Sequence, residues 1–561
     1  MSARRYTHRL RFLATTLRSL CCLLLCLILG EVQAENAIRR SSTGEPQTLD
    51  PQLWIYGQDG NIAHDLFQGL TAVNAAAVTV PGQAESWSVS PDGRVYTFKL
   101  RSNLKWSDGK PITSADFIYS LRRLFNPATA APSASLLYVI KNAREVNAGR
   151  KPVESLGIRA PDAQTVIIEL EHPAPFFTEI LVHRAFPVPR HVIERWGREW
   201  TRAEHMVSNG AFTLGEWRPG SHVKLLRNPL FIDAPMTKLN AIYHIPVEDP
   251  NAALTRYRAG DLDIVVSLPS DKIAELKRDF GPQLHLTQQI GFEYLAFNTR
   301  RGPTADARVR RALSMAIDRQ VITNKVLRAG ERPSFCIVPP GVLYYPQPGC
   351  ADFADWKPVV RFKQAQALLK SAGYSLEKPL RLRYRINNTD TQKRIALAVT
   401  SMWQPLGVRT EIIGSDMKSH QQAITQADFD VARGAWYAED RDAMSFLRLL
   451  DARSVALNIS GYSNGAFQSL LKDADESENL IARANFMSQA ETQAMRDQPV
   501  APIFVYVSRR LISPRVLGWV DNPRGVNISR YLAVDSTMGA SASTSSIHSP
   551  AAPLSIPARR P

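Results

Sequence analysis

An α/β fold with mixed sheets, spread over several cores, is predicted by three observations. The chain has 561 residues, several times the roughly 100–200 of an ordinary domain. Hydrophobic residues make up 44% and charged residues 21%, with a mean hydropathy of −0.19; that balance excludes both a disordered polyelectrolyte and a multispanning membrane protein. Hydrophobic patterns of period 2 and period 3.6 both occur, without the strict βα alternation of a purely parallel sheet.

The first segment reads as an export signal. Arg4, Arg5, Arg9, Arg11 and Arg18 precede ten uninterrupted apolar residues, Leu20 to Leu29, and Val32-Gln33-Ala34 offers a small-residue cleavage site near Ala34. Ten residues is half of the roughly 20 that a spanning helix needs. Removing residues 1–34 takes five arginines and one glutamate, so the formal net charge falls from +16 to +12. Cys21, Cys22 and Cys26 leave with it. Only Cys336 and Cys350 remain, in an exported chain where disulfides persist, and we expect them to pair. Such a loop is worth about 3 kcal/mol on the chain-entropy model.

Local signals then place elements in order. Val95 to Leu100 alternates as a half-buried strand after the Pro91-Asp92-Gly93 turn. Thr113 is placed to cap a helix carrying Phe117, Leu121 and Leu124, which Pro127 closes. Thr165 to Leu170 is a β-branched strand; Ala307 to Leu327 carries one helical pattern. Residues 361–372 read as a helix stopped by Gly373, followed by a strand from Leu380 to Ile386. Residues 536–561 are rich in Ser, Ala and Pro and are expected to form a disordered tail.

Catalytic signatures are weak. Gly461-Tyr462-Ser463-Asn464-Gly465 matches G-x-S-x-G, but the only histidine after Ser463 is His548, in the expected tail. There is no H-E-x-x-H, no two-cysteine cluster, no acidic calcium loop, no P-loop and no G-x-G-x-x-G, so no metal, cofactor or enzymatic activity is expected. Basic residues are interleaved with acids, as in Asp440-Arg441-Asp442, which argues against nucleic acid.

Several ordered motifs instead carry a family likeness. Glu45-Pro46-Gln47-Thr48-Leu49-Asp50-Pro51, Asp65-Leu66-Phe67-Gln68-Gly69-Leu70, Lys105-Trp106-Ser107-Asp108-Gly109, Ser208-Asn209-Gly210-Ala211-Phe212, Tyr257 to Asp263 and Pro502-Ile503-Phe504-Val505-Tyr506 resemble the family 5 extracellular solute-binding proteins of ABC importers. The likeness spans residues 38–533 and is strongest toward the oligopeptide-binding members, at Asp430 to Glu439. It implies a three-lobed periplasmic binding protein (type II, cluster C-like) with mixed β-sheets and a ligand cleft between two main lobes. One lobe would comprise 35–70, 206–300 and 505–535, a second 71–205 and a third 301–504.

By the same resemblance, Glu439 stands where an aspartate pairs with a peptide's α-ammonium group, and Arg433 lies near the peptide's C-terminal end. The backbone from Gly434 to Tyr437, with Trp436, would bond an extended peptide as an added strand, and Tyr56 and Gly57 complete the expected set. Gln392 replaces a histidine that reaches the ligand's C-terminal region, and Tyr437 replaces a cysteine. Main-chain bonding ignores side-chain identity and permits broad specificity. The implied partners are a peptide and a membrane permease with its ATPases, the implied state a monomer. A murein peptide, a dipeptide, a metal-chelate, or a sensor or chaperone role without transport stays open.

Overall fold

The computed structural model describes residues 36–54, 57–438, 440–454, 457–535 and 537. The expected export signal and, apart from Thr537, the expected tail lie outside the described residues, as do Tyr56 and Glu439. No helix among the described residues is long and apolar enough to cross a membrane.

The locally signalled elements form where caps and periodicity place them. Val95–Leu100 and Thr165–Glu169 pair antiparallel in a four-stranded sheet with Ala84–Val89 and Ile158–Asp162. The helix Ser114–Phe125 opens on Thr113, whose N–H the Asp116 carboxylate accepts at 2.8 Å. The helix Pro358–Ser371 and the strand Leu380–Asn387 follow in turn.

One expectation is corrected. The single helix read over Ala307 to Leu327 is broken: Ala307–Ala316 is helical, Ile317 is extended, and Asp318 caps a new helical stretch by accepting from the Gln320 and Val321 N–H groups. The cause is Arg319, whose buried side chain donates to the carbonyls of Ser314 (3.0 Å), Ile317 (3.1 Å) and Pro502 (2.7 Å). A cation folded back onto the end of the first helix satisfies its last carbonyls and stops it there.

The backbone of the molecule is an eleven-stranded mixed sheet. Its order runs Val408–Ser415, Leu380–Asn387, Val431–Tyr437, Leu284–Phe297, Val500–Ile512, Ile264–Val265, Ala37–Ser42, Ala241–Pro246, His222–Arg227, Phe212–Arg218, with Arg332–Pro333 also on Val500–Ile512. The two long central strands, Leu284–Phe297 and Val500–Ile512, each run through both halves of this sheet. Their antiparallel register slips between Gln288 and Phe292, where Gln289, Ile290 and Gly291 oppose Tyr506 alone, and again between Glu293 and Tyr294, where Ile503 is the extra residue on the other strand. Extra residues on one strand bend the ladder and raise its twist. Ile290 there donates its N–H out of the ladder, to the Pro523 carbonyl at 2.9 Å.

Separate cores lie on either side of that bend. One surrounds Phe67, Phe98, Phe125, Trp106 and Trp200. Two more lie beyond the bend, around Tyr384 and Trp403 and around Phe292, Phe446 and Phe467. Cys336 and Cys350 are disulfide-bonded, as expected.

Candidate functional site

The strand Val431–Tyr437 is paired along its whole length on one side but not on the other. Gly291 to Phe297 faces it residue for residue. Opposite, Leu380–Asn387 pairs with it only at Val431 and Ala432; Ile386 and Asn387 stay paired with Gly414 and Ser415 on the far side, and the chain then enters the helix Asp390–Trp403, which Thr389 caps by accepting from the Gln392 N–H. From Arg433 onward that edge carries no strand among the described residues.

Alternation fixes which backbone groups face the open edge. Asn298 donates to the Asp430 carbonyl at 3.0 Å, and Ala438 donates to the Ile290 carbonyl at 3.0 Å. Even-numbered residues therefore point inward to the ladder; Arg433, Ala435 and Tyr437 point their N–H and C=O outward. The Arg433 carbonyl accepts from Nε2 of the buried His420 at 3.2 Å. The Ala435 and Tyr437 groups have no strand beside them.

Side chains on this strand divide between two faces. Arg433 and Tyr437 share one. The Arg433 guanidinium holds Glu293 in a fork (Nε–Oε1 2.9 Å, Nη2–Oε2 2.8 Å) and donates to the Tyr506 hydroxyl at 3.0 Å, while Tyr506 also bonds Glu293. Glu293 is fully buried. Burial opposes the Arg433 charge, but the Glu293 carboxylate and Tyr506 outweigh it and raise its pKa. Tyr437, half exposed, stacks on Tyr506 with centroids 4.5 Å apart. The guanidinium expected beside a ligand carboxylate is thus already neutralised within the protein. Glu293 and Tyr506 were not among the expected residues; the Pro502-to-Tyr506 motif was the only sequence signal near them.

On the other face, a Cβ on Gly434 would come within 2.4 Å of the Tyr294 ring, so only glycine allows that ring to lie flat on the strand. Trp436 is half-buried against the core around Phe446, with its buried Nε1 unpartnered among the described residues. Gln392 is buried in the first turn of the helix that follows Leu380–Asn387, and its Oε1 is likewise unpartnered. Gly57 is the exposed first residue of the helix Gly57–Leu66, on another element altogether. The structure brings Arg433, Gly434, Trp436 and Tyr437 together on one strand; no contact joins Gly57 to them among the described residues.

Past the strand, the chain crosses to the 71–205 segment. Arg441 grips the buried Glu179: its N–H donates to Oε2 at 2.9 Å and Nη2 to Oε1 at 2.8 Å. Asp442 pairs with Arg483 at 2.6 Å. Asp440 pairs with no cation among the described residues. It accepts from Ser445 Oγ and from the Asp442 N–H, and burial, with Asp442 close by, pushes its carboxyl up to about 7. Ser463 stands exposed in the turn before the helix Gly465–Glu476.

A chain-wide family match accompanies this geometry. Residues 78–456 match the model for bacterial extracellular solute-binding proteins, family 5 Middle. The periplasmic murein peptide-binding protein MppA of Escherichia coli is 36% identical over 512 residues, 90% of this chain and 94% of that protein. The periplasmic oligopeptide-binding protein OppA of the same organism is 34% identical over 492 residues, 86% of this chain and 90% of that protein. The unliganded open form of the MppA murein tripeptide binding protein superposes with a TM-score of 0.79 at 36% identity, covering 89% of this chain and 98% of that one. The family model covers more than half of the chain and these relatives exceed 30% identity over most of it, and the chain belongs to the family 5 extracellular solute-binding proteins.

Proposed function

We infer that the chain is the periplasmic substrate-binding component of an ABC importer and takes an oligopeptide as an extra strand on the edge of Val431–Tyr437. The observation that carries this reading is the open edge at Ala435 and Tyr437, whose two N–H and two C=O groups match the repeat of one extended peptide. The likeness to MppA and OppA supports peptides as the ligand class and the periplasm as the compartment. The chain divides into the three lobes set out above, and closure about the Gln288–Phe292 bend encloses the ligand. Delivery is to a membrane permease driven by ATPases, by a monomeric carrier with no catalytic step.

In this reading Glu439 anchors the ligand's ammonium group, since a carboxylate covered by lobe closure needs a cation. Trp436, Tyr437, Gln392, Tyr56 and Gly57 line the ligand, and Arg433, locked to Glu293, shapes the strand more than it meets a free carboxylate. Replacing Glu439 with Ala should weaken peptide binding more than about tenfold, or 1.4 kcal/mol. N-acetylated peptides binding as well as free ones would refute the ammonium anchor.

A murein peptide is the second reading, favoured by the identity to MppA. Mass spectrometry of material released by denaturing the purified protein separates the two. Mixed short peptides support the oligopeptide reading, a single muropeptide supports the second, and a single non-peptide solute sinks both.

A further inference from the structure

A groove of 690 Å³ lies on the 71–205 segment, on elements that contribute nothing to the Val431–Tyr437 strand. Arginines from separate elements line it: Arg122 and Arg123 from the helix Ser114–Phe125, Arg159 from the strand Ile158–Asp162, and Arg190 from the helix Arg190–Trp196. No carboxylate lines it among the described residues.

The four guanidinium groups are not equivalent. Arg123 is fixed by Asp50 at 2.6 Å, and Arg190 by Glu194 at 2.6 Å, with its guanidinium 5.6 Å from the centre of the Tyr119 ring. Those two charges are compensated. Arg122 and Arg159 have no side-chain partner among the described residues, and the Arg122 Nε is buried without an acceptor. Two guanidinium groups without a carboxylate partner therefore line one concavity, beside the compensated Arg123 and Arg190, the amide of Asn126 and an apolar wall that includes Ile118 and Tyr119. Planar guanidinium forks match phosphate oxygens in pairs.

We propose that this groove is a second ligand site, for a phosphate-bearing anion with an apolar body. The phosphate bridges Arg122 and Arg159, and the body rests on Ile118 and Tyr119. The same chemistry is presented by a free phosphorylated solute and by an anionic phospholipid headgroup. The proposal stands independently of the peptide reading, because none of its residues lies on the open strand.

The test is calorimetric titration of the full chain with phenyl phosphate at fixed ionic strength, with benzyl alcohol as the uncharged control. Phenyl phosphate should bind and benzyl alcohol should not. Arg122→Gln/Arg159→Gln should weaken phenyl phosphate binding by about tenfold or more while leaving the thermal midpoint within a few degrees of the parent. Should the double variant fail to fold, Arg159→Gln alone carries the test, at an exposed position. Co-sedimentation with phosphatidylglycerol vesicles, and not with phosphatidylcholine vesicles, assigns the headgroup as the source; phenyl phosphate binding without vesicle binding assigns a free solute. No binding of phenyl phosphate, or equal binding by parent and variants, overturns the proposal whatever the vesicles show.

Discussion

At Glu293 a carboxylate with no exposed surface lies under the strand that we assign to the ligand, and its charge is tolerable only because Arg433 forks onto it and Tyr506 bonds it. Removing one member of a buried pair leaves the other uncompensated, at a cost of about 3–5 kcal/mol. Glu293→Gln should therefore lower the unfolding free energy by that order in a denaturant titration, and Arg433→Met in the same background should recover much of the loss. A change under about 1 kcal/mol in the single variant would show that the pair does not hold the strand. This partnership was not legible beforehand. Arg433 was singled out by the motif around it, but its partner lies 140 residues away, and nothing local to either residue signals the other.

Among the elements, those built from nearby residues were legible: the capped helix Ser114–Phe125, the strand Val95–Leu100 and the disulfide between Cys336 and Cys350. Caps, alternation and cysteine number act over a few residues or by elimination. The break at Ile317 escaped because Arg319 stops the helix by reaching the carbonyl of Pro502, a tertiary event. The open edge was implied by the family likeness alone: it exists because Leu380–Asn387 stops pairing with Val431–Tyr437 after Val431 and Ala432 while staying on Val408–Ser415, and register between distant strands has no local signature. The disulfide loop has a second fastening, for the buried Glu491 accepts from the N–H groups of Ile337, Val338 and Gly349 at 2.7, 2.8 and 2.7 Å and from the Tyr345 hydroxyl at 2.7 Å. That loop in turn donates from Leu343 to the Arg441 carbonyl at 2.7 Å, next to the Glu179 bridge. Replacing both cysteines with serine should lower the unfolding free energy by about 3 kcal/mol through loop entropy, with Glu491 keeping the folded loop in place. An unchanged denaturant midpoint would contradict a constraining role for the bond.

Across the whole molecule, acidic and basic residues are interleaved along the sequence, and several ionisable groups are held buried between segments. His64, on the helix Gly57–Leu66, meets His183 of the helix Phe177–Arg184 at 2.9 Å, and Arg524 bonds His183 from the far end of the chain. Burial, reinforced by Arg524 and Arg184, pushes His64 down to about 3; burial and Arg524 hold His183 well below its usual value. Both rings are neutral in the folded protein at neutral pH. In the unfolded chain they take up protons near pH 6.5, so acidification favours unfolding: the stability is intact above about 6.5 and is lost as the pH falls toward about 3. His64→Gln should flatten the dependence of the thermal midpoint on pH in that window, and parallel curves for variant and parent would show that the pair does not control this seam.

The central claim is that a peptide completes the sheet at Val431–Tyr437, and amide hydrogen exchange resolved to single residues, with and without saturating peptide, tests it most directly. Ala435 and Tyr437, whose N–H groups face the open edge, should slow sharply when peptide binds. Gly434 and Trp436, which face the ladder with Tyr294 and Phe292, should change little. Equal protection at all four positions, or none at Ala435 and Tyr437 in a chain shown to be saturated with peptide, would contradict strand addition as the mode of binding.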